Sequence, residues 1–229
     1  MFDIVYSHSD FVVINKHPNV SVHKDDGDTV LVSSVAKAVE CQKLYLVHRL
    51  DKMTSGLLIL AKSHDSARRL SQLFAERKIQ KFYLAIGTKK PKKKQGLIRG
   101  DMVRARRSAW KLVASTENPA VTQFFSVAGR PGERVFICKP HTGKTHQIRV
   151  ALNSLGSSIV GDHIYSPSSQ ADRGYLHAFA LCFTYQGQVL ELVCDPRHYQ
   201  DFGQQWQSTE VSSAIDAWLT PWQLDWPAL

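Results

Sequence analysis

The order of apolar segments predicts an α+β fold, in which a mixed, largely antiparallel central sheet is flanked by helices and loops. Short, fully apolar runs such as Phe11–Ile14 and Leu57–Ala61 are typical of buried strands. Strand-like segments outnumber those with helical spacing, and they occur in mixed order along the chain. No internal repeat is visible, so a repeat architecture is not expected.

The individual elements follow from the same patterns. Strands are predicted, in chain order, at Phe11–Ile14, Leu57–Ala61, Lys81–Gly87, Val121–Val127, Arg134–Lys139, Tyr175–Tyr185 and Gln188–Cys194. A helix is predicted at His64–Lys78, where apolar residues recur at helical spacing and Ser63 is available as the N-cap. A second helix is predicted at Thr145–Leu155, with Thr145 as its cap and Gly156 ending it in the left-handed conformation.

Composition and local sequence patterns indicate the cellular compartment of the protein. The N-terminus has no basic region ahead of an apolar stretch, so a signal peptide is not expected. The longest strongly apolar run, Leu57–Ala61, is far too short to span a bilayer. The four cysteines are scattered without a C-x-x-C pair, which argues against a zinc finger and against a disulfide framework. We therefore expect a cytoplasmic protein.

The positive charge of the chain is concentrated in one segment. Between Ile86 and Lys111 there are ten basic residues and one acid, a net of +9 that equals the charge of the whole chain. Within it, Lys89–Lys94 reads as an exposed connection. A focused positive segment suits a phosphate backbone, because neutralised phosphates release counterions. A solvated basic loop without a partner explains the charge equally well.

The C-terminal tail differs in charge and in aromatic content. From Gly187 to Leu229 there are six acids and a single arginine, a net of −5. Four tryptophans lie in this part of the chain, namely Trp206, Trp218, Trp222 and Trp226. Since acidic neighbours repel RNA, we expect these rings to pack the tail onto the body rather than to stack on bases.

One polar segment leads directly into a buried strand. The sequence His48-Arg49-Leu50-Asp51 precedes the apolar run by a few residues, so Asp51 is expected at the edge of the core. A partly buried carboxylate needs a cation or hydrogen bonds to compensate its desolvation. Such carboxylates often act as nucleophiles or bases. For an isolated Asp, closing a turn or capping Thr54 is the better explanation.

Asp51 belongs to one of four sequence blocks, and together these blocks change that interpretation. The central block is His48-Arg49-Leu50-Asp51 followed by Thr54-Ser55-Gly56-Leu57-Leu58. The other blocks are Asn15-Lys16-His17-Pro18 ending in Val22-His23, then Lys81-Phe82-Tyr83-Leu84-Ala85, then Thr142-Gly143-Lys144-Thr145-His146-Gln147-Ile148-Arg149 with Gly161-Asp162 and Tyr165 after it. The weaker Leu176-His177-Ala178 follows. In content and order these blocks resemble the motifs of the RluA-type pseudouridine synthases.

The chain departs from the family pattern at four positions. His17 intervenes before the proline, and Asn19 takes the place of a glycine, which its tolerance of positive φ allows. Lys144 stands where arginine is usual, and Ala151 where histidine is usual. These changes can alter RNA contacts, but they leave the central groups in place.

The resemblance implies roles for particular residues. Asp51 would be the catalytic carboxylate, Arg149 would pair with it, and Tyr83 would stack on the uracil ring and help to remove the C5 proton. Arg49 would help to replace a base that leaves its stack. The wider set expected to contact substrate or RNA is His48, Arg49, Thr54 and Lys144, together with Arg104, Arg106 and Arg107 of a basic arm.

The resemblance also implies the broader biology. It predicts one catalytic pseudouridine synthase domain over 1–229, with motifs from about 9 to 195, a packed tail at 196–229 and no S4-type domain. The expected substrate is a uridine in a ribosomal or transfer RNA stem-loop, with no cofactor, no membrane association and a monomeric state. Metal binding is not expected, since the ten histidines include no H-E-x-x-H pattern.

Two other functions remain open from the sequence. A non-catalytic RNA-binding module explains the basic segment, although it gives no reason for Asp51, Tyr83 and Arg149 in their motifs. A two-carboxylate glycosidase or N-glycosylase needs a second acid near the first to activate water. Asp162 is the only other acid in the motif blocks, and the resemblance places it in a structural role.

Overall fold

The computed structural model describes residues 1–22, 28–106 and 108–229. Within these ranges the strands form one sheet of eleven strands. The strands are β1 (Phe2–Ser7), β2 (Phe11–Lys16), β3 (Tyr45–Leu46), β4 (Ser55–Ala61), β5 (Gln80–Gly87), β6 (Gln95–Arg104), β7 (Trp110–Val113), β8 (Ala120–Ala128), β9 (Arg134–Pro140), β10 (Leu176–Tyr185) and β11 (Gln188–Val193). The α-helices of the described residues are α1 (Asp28–Ala38), α2 (His64–Ala75), α3 (Gln147–Ser154) and α4 (Thr209–Ala217).

The sheet confirms the predicted α+β class. Its order is β1-β2-β4-β10-β5-β9-β8-β6-β7, with β3 added to β4 and β11 added to β10. Only the short β4–β10 contact is parallel among the described strand pairs, and the other pairs are antiparallel. All seven predicted strands are present with small shifts at their ends.

The continuous apolar runs form strands that are covered on both faces. In β4, Leu57 and Ile59 pack with Leu70 of α2, whereas Leu58 and Leu60 pack in a second cluster with α1. Alternate side chains of a strand point to opposite faces, so a run without polar residues requires cover on both sides. The strand that follows Asp51 is thereby fixed in the interior.

The helix predicted after Ser63 is confirmed, although it is shorter than expected. Ser63 accepts from the backbone N–H of Ser66 at 3.1 Å, and the Ser66 hydroxyl accepts from the Ser63 N–H at 3.1 Å, a reciprocal capping box. The helix ends at Ala75 rather than Lys78 because Arg77 is left-handed, with φ 57°. The predicted turn at Asn19 is also confirmed, with φ 63°.

The prediction that Thr145 caps the next helix is wrong. Helix α3 begins at Gln147 after His146, which is left-handed with φ 57° and offers no side-chain cap. The loop is tied instead by the Gln147 side chain, whose Oε1 accepts from the Lys144 N–H at 3.0 Å and the Thr142 hydroxyl at 2.7 Å. Gly156, by contrast, ends the helix with φ 77° as predicted.

Aromatic residues of the C-terminal tail lie against the centre of the sheet. Trp206 is fully buried in a cluster with Phe82 of β5 and Ile215 of α4. The ring of Trp226 lies 5.8 Å from that of Phe82 and 5.0 Å from that of Phe125. The tail therefore covers one face of β5, and the opposite face of this strand is left for Tyr83 and its neighbours.

Candidate active site

An open cleft of about 520 Å³ lies over the centre of the sheet. Its walls come from the segment before β4, from the end of α2, from β5 and from the loop that leads into α3. The described lining includes five cationic side chains, namely Arg49, Arg77, Lys81, Lys144 and Arg149. Asp51 is the one carboxylate among the described lining residues, so the cleft is electropositive around a single acid.

Asp51 is held at the cleft by a tight turn. The Asp51 carbonyl accepts from the Thr54 N–H at 3.0 Å, immediately before β4 begins. Gly56 follows with φ 106°, and a Cβ there would overlap the backbone of Ala178 on β10. Because only glycine fits that approach, the turn is anchored to the middle of the sheet. The Asp51 side chain remains 19% exposed and reaches the cleft.

Arg149 joins Asp51 to a second, fully buried carboxylate. Its Nη1 donates to Asp51 Oδ2 at 3.1 Å. Its Nε and Nη2 donate to the two oxygens of Asp162 at 2.7 and 2.8 Å. The structure thus brings together the two motif residues Asp51 and Arg149, and it adds Asp162 as the group that orients the guanidinium.

This arrangement keeps the arginine charged. Burial lowers the pKa of Arg149, but hydrogen bonds and charge from Asp162 and Asp51 outweigh it and raise the pKa. The guanidinium also lies over the ring of Tyr165, 5.2 Å from its centroid. Asp51 therefore faces a charged guanidinium whose orientation is fixed.

Tyr83 projects from β5 into the same cleft and is half-buried. Burial, and then the charge of Asp51, raise the pKa of its phenol far above the ordinary value. The phenol is therefore protonated at neutral pH. It can present a ring face or donate a hydrogen bond, but it is not a phenolate base in the free protein.

Two buried cations support the Asp51 turn from below, and the sequence patterns did not assign a role to either. Lys16 donates to the carbonyls of His17, Val20 and Lys52 at 2.9, 2.7 and 3.2 Å. Burial and the nearby Arg173 lower its pKa to about 7, while Asp51 acts in the opposite direction.

The second of these cations is Arg173. Its Nη2 donates to the Met53 carbonyl, the Ser55 hydroxyl and the Leu176 carbonyl at 3.3, 3.0 and 3.2 Å. Lys16 lies in a motif block, so its position was visible in the sequence. Arg173 stands in an irregular loop with no pattern that could have identified it.

The other residues expected to contact RNA line the cleft and differ in burial and in hydrogen bonding. The His48 ring accepts from the Ile59 N–H at 2.9 Å, and burial and then Lys81 lower its pKa to about 3, so it is neutral. Thr54 is buried and lines the floor. Arg49 is exposed at the rim, and Lys144 Nζ donates to Asn118 Oδ1 at 2.7 Å.

The basic arm is a hairpin of β6 and β7 that touches the site. Arg104 and Arg106 are exposed, and the Arg104 guanidinium lies over Trp110 at 5.6 Å. The Trp110 N–H donates to the Tyr165 hydroxyl at 2.8 Å, and Tyr165 is the residue beneath Arg149. Arg107, and His23 of the first motif, lie outside the described residues.

The described part of the chain shows no group of three His, Cys, Asp or Glu side chains placed as metal ligands. Over the same ranges, no helix combines the length and apolarity needed to cross a membrane.

Solved structures identify the class of the fold. Human RNA pseudouridylate synthase domain containing 1 superimposes with a TM-score of 0.74 at 26% identity, over 95% of this chain and 94% of that one. Human RNA pseudouridylate synthase domain containing 4 superimposes with a TM-score of 0.72 at 28% identity, over 86% and 90%. The sheet and its helices are therefore those of a pseudouridylate synthase.

Sequence matches agree. The family described as RNA pseudouridylate synthase matches residues 10–154, more than half of the chain. An uncharacterized RNA pseudouridine synthase of Haemophilus influenzae is 51% identical over 95% of this chain and 96% of its own length. Ribosomal large subunit pseudouridine synthase C of Rickettsia bellii is 31% identical over 71% of this chain and 56% of its own length. The chain belongs to the RNA pseudouridylate synthase family, in its RluA-type branch, and is an isomerase.

Proposed function

We propose that this isomerase converts a uridine in structured ribosomal or transfer RNA to pseudouridine, with Asp51 as its catalytic carboxylate. The observation that carries the proposal is the Arg149–Asp51 pair at 3.1 Å, placed beside Tyr83 in an electropositive cleft. Ribosomal RNA is suggested by the name of the Rickettsia bellii relative, which spans more sequence than this chain.

The reaction breaks the N1–C1′ bond of uridine, turns the base and joins C5 to C1′. N1 ends with a proton and C5 loses one, so atoms balance without an external oxidant, reductant or water. Asp51 is the one described carboxylate in the cleft, so the acid–base and covalent work falls on it. Arg149 fixes the direction of that carboxylate through its hydrogen bond to Asp51 Oδ2.

The other groups position the base and the RNA. Tyr83 packs against the uracil ring as a protonated phenol. The help in removing the C5 proton that the resemblance implied for Tyr83 is therefore assigned to Asp51 in this proposal. Arg49, exposed at the rim, fills the space of the base that leaves the stack. Arg104 and Arg106 on the hairpin contact backbone phosphates. The protein acts as a monomer in the cytoplasm.

The burial of Asp162 argues against the two-carboxylate alternative. Asp162 is fully buried, and both of its oxygens accept from Arg149. A glycosidase needs its second carboxyl group next to the water that it activates. Asp162 has no such access, so the described lining of the cleft offers one working acid rather than two.

Tritium release tests the proposal and the substrate class together. RNA labelled at uridine C5 is prepared from cells that lack the protein and is separated into ribosomal and transfer fractions. We expect the wild-type protein to release tritium from one of these fractions and Asp51→Asn to release none. Absence of release from both fractions, with RNA binding intact, would reject the proposed activity.

A further inference from the structure

Lys81 is a half-buried cation on the cleft wall that the chemistry above does not use. Within the part of the chain that the structure describes, its ammonium has one hydrogen-bond acceptor, the Thr142 carbonyl at 3.5 Å, and lies 6.0 Å from the ring centre of Phe74. Among the described residues, the ion pairs involve neither Lys81 nor the neighbouring Arg77. A half-buried ammonium with one long hydrogen bond and no carboxylate partner has lost hydration that the protein replaces only in part.

The surroundings of Lys81 are correspondingly positive. Lys81 is one of the groups that lower the pKa of His48, after burial. The pKa of His141 is also lowered, by burial and then by Lys139, Arg77 and Lys81. Two imidazoles on different elements thus respond to the same uncompensated charge. This wall of the cleft has room for a negative group that the protein itself does not supply.

Arg77 lines the same wall of the cleft, and its backbone conformation there is energetically unfavourable. It occupies the left-handed position that ends α2, with φ 57°, where glycine is the usual residue. A side chain in that conformation costs about 1 kcal/mol relative to glycine. Arg77 is exposed, lines the cleft and has no carboxylate partner among the described ion pairs. Its guanidinium therefore adds charge to the wall without stabilising the fold through an ion pair.

The register of β5 relates this wall to the reacting base. Phe82 points into the core beneath the tail, so Lys81 and Tyr83 share the opposite face of the strand. Two residues along a strand are separated by about 7 Å. That spacing is comparable to the distance from a base to the phosphates of its own nucleotide. We propose that Arg77 and Lys81 form a phosphate-binding site for the RNA backbone next to the nucleotide that stacks on Tyr83.

This site rests on the proposed function, but its ligand can be tested without turnover. The probes are uridine and uridine 3′,5′-bisphosphate, titrated into the protein by calorimetry. We expect the bisphosphate to bind the wild type more tightly than uridine. Lys81→Met should reduce that preference by about fivefold to tenfold at 0.1 M salt, the effect of one lost phosphate contact. Arg77→Gln should reduce it in the same direction.

The matched control is Lys78→Met, which removes the same charge three residues away. Lys78 is exposed, pairs with Glu76 at 2.7 Å and does not line the cleft. Lys81→Arg keeps the charge and should restore the preference, which separates phosphate binding from a folding defect. An equal preference in wild type and Lys81→Met, or an equal loss in Lys78→Met, would overturn the site. If the bisphosphate binds through Lys81 while no RNA releases tritium, the proposed activity fails and the phosphate site stands.

Discussion

Arg149 donates two hydrogen bonds, of 2.7 and 2.8 Å, to the buried Asp162, and its remaining nitrogen, Nη1, donates to Asp51. The direction of the guanidinium is therefore set by a residue that never meets solvent. Asp162 in turn accepts from the backbone N–H groups of Ile164 and Tyr165, which fixes it to the loop after α3. The direction of the Asp51 carboxylate thus depends on Arg149 and, through Arg149, on Asp162.

Asp162→Asn is expected to damage both turnover and stability. An amide cannot accept both N–H groups of Arg149, so the guanidinium shifts and Asp51 loses its fixed direction. A displacement of about 1 Å can cost about a hundredfold in rate. Removing one of the two carboxylate partners of the buried Arg149, and leaving an N–H of its guanidinium without an acceptor, should lower the free energy of unfolding by about 3 kcal/mol. Urea unfolding and single-turnover tritium release measure the two effects.

The control for this change is Asp65→Asn, on the exposed surface of α2. It should alter neither quantity by more than a small factor. Normal turnover in Asp162→Asn would show that Arg149 needs no internal support.

The phenol of Tyr83 is expected to resist ionisation. Burial and the charge of Asp51 raise its pKa, whereas a free tyrosine is half ionised near pH 10. The absorbance change at the phenolate band is recorded during alkaline titration of the wild type and of Tyr83→Phe. The difference between the two curves should stay flat through pH 10. A difference that titrates near neutral pH would instead make Tyr83 a candidate base.

Lys16 is expected to make stability depend on pH in a definite direction. Its pKa is about 7 in the folded protein and 10.5 in the reference state. Between these values the unfolded chain holds a proton that the folded protein has released, so stability rises with pH. The gain reaches at most about 1.4 kcal/mol per pH unit. Below pH 7 both states hold the proton and this contribution is constant.

The measurement compares urea unfolding of the wild type and of Lys16→Met from pH 6 to pH 9.5. The difference in unfolding free energy should be flat to about pH 7 and should then change in favour of the wild type. Parallel curves over the whole range would show that the buried lysine titrates normally.

The exposed arginines of the hairpin are expected to govern the salt dependence of RNA binding. Replacing Arg104 and Arg106 by Gln should weaken binding and reduce the slope of log K against log salt by about 1.4 to 1.8, for two phosphate contacts. The control replaces Arg68 and Arg69, which are exposed on α2 and outside the cleft, and should leave the slope nearly unchanged. Equal slopes in both double variants would remove the hairpin from the RNA interface.

The sheet could be predicted from the sequence where its strands are unambiguous. The run Leu57–Ala61 is too short for a buried helix and too apolar for a strand at the edge of the sheet. It therefore identified the buried strand β4 directly. Ser63 likewise identified the start of α2, because a hydroxyl that caps a helix leaves a local signal. Asp51, Tyr83 and Arg149 were identified by their motifs, and the structure brings all three to one cleft.

Other features of the fold and the site could not be predicted from local sequence rules. Thr145 was expected to cap the helix, but the Gln147 side chain accepts the hydrogen bonds of the loop from Thr142 and Lys144 instead. No rule for helix caps anticipates that arrangement. Arg173 holds the strand after Asp51 from more than a hundred residues away. The hairpin of β6 and β7 was hidden because its charged residues mask the alternation that marks a strand.

In the proposed reaction, Asp51 performs the chemistry rather than merely closing its turn. The most direct test measures single-turnover tritium release and RNA affinity for the wild type and for Asp51→Asn, in the RNA fraction on which the wild type is active. We expect Asp51→Asn to bind RNA within a few fold of the wild-type affinity and to release no detectable tritium. Release by Asp51→Asn at the wild-type rate would contradict it, because the reaction would then proceed without the carboxylate.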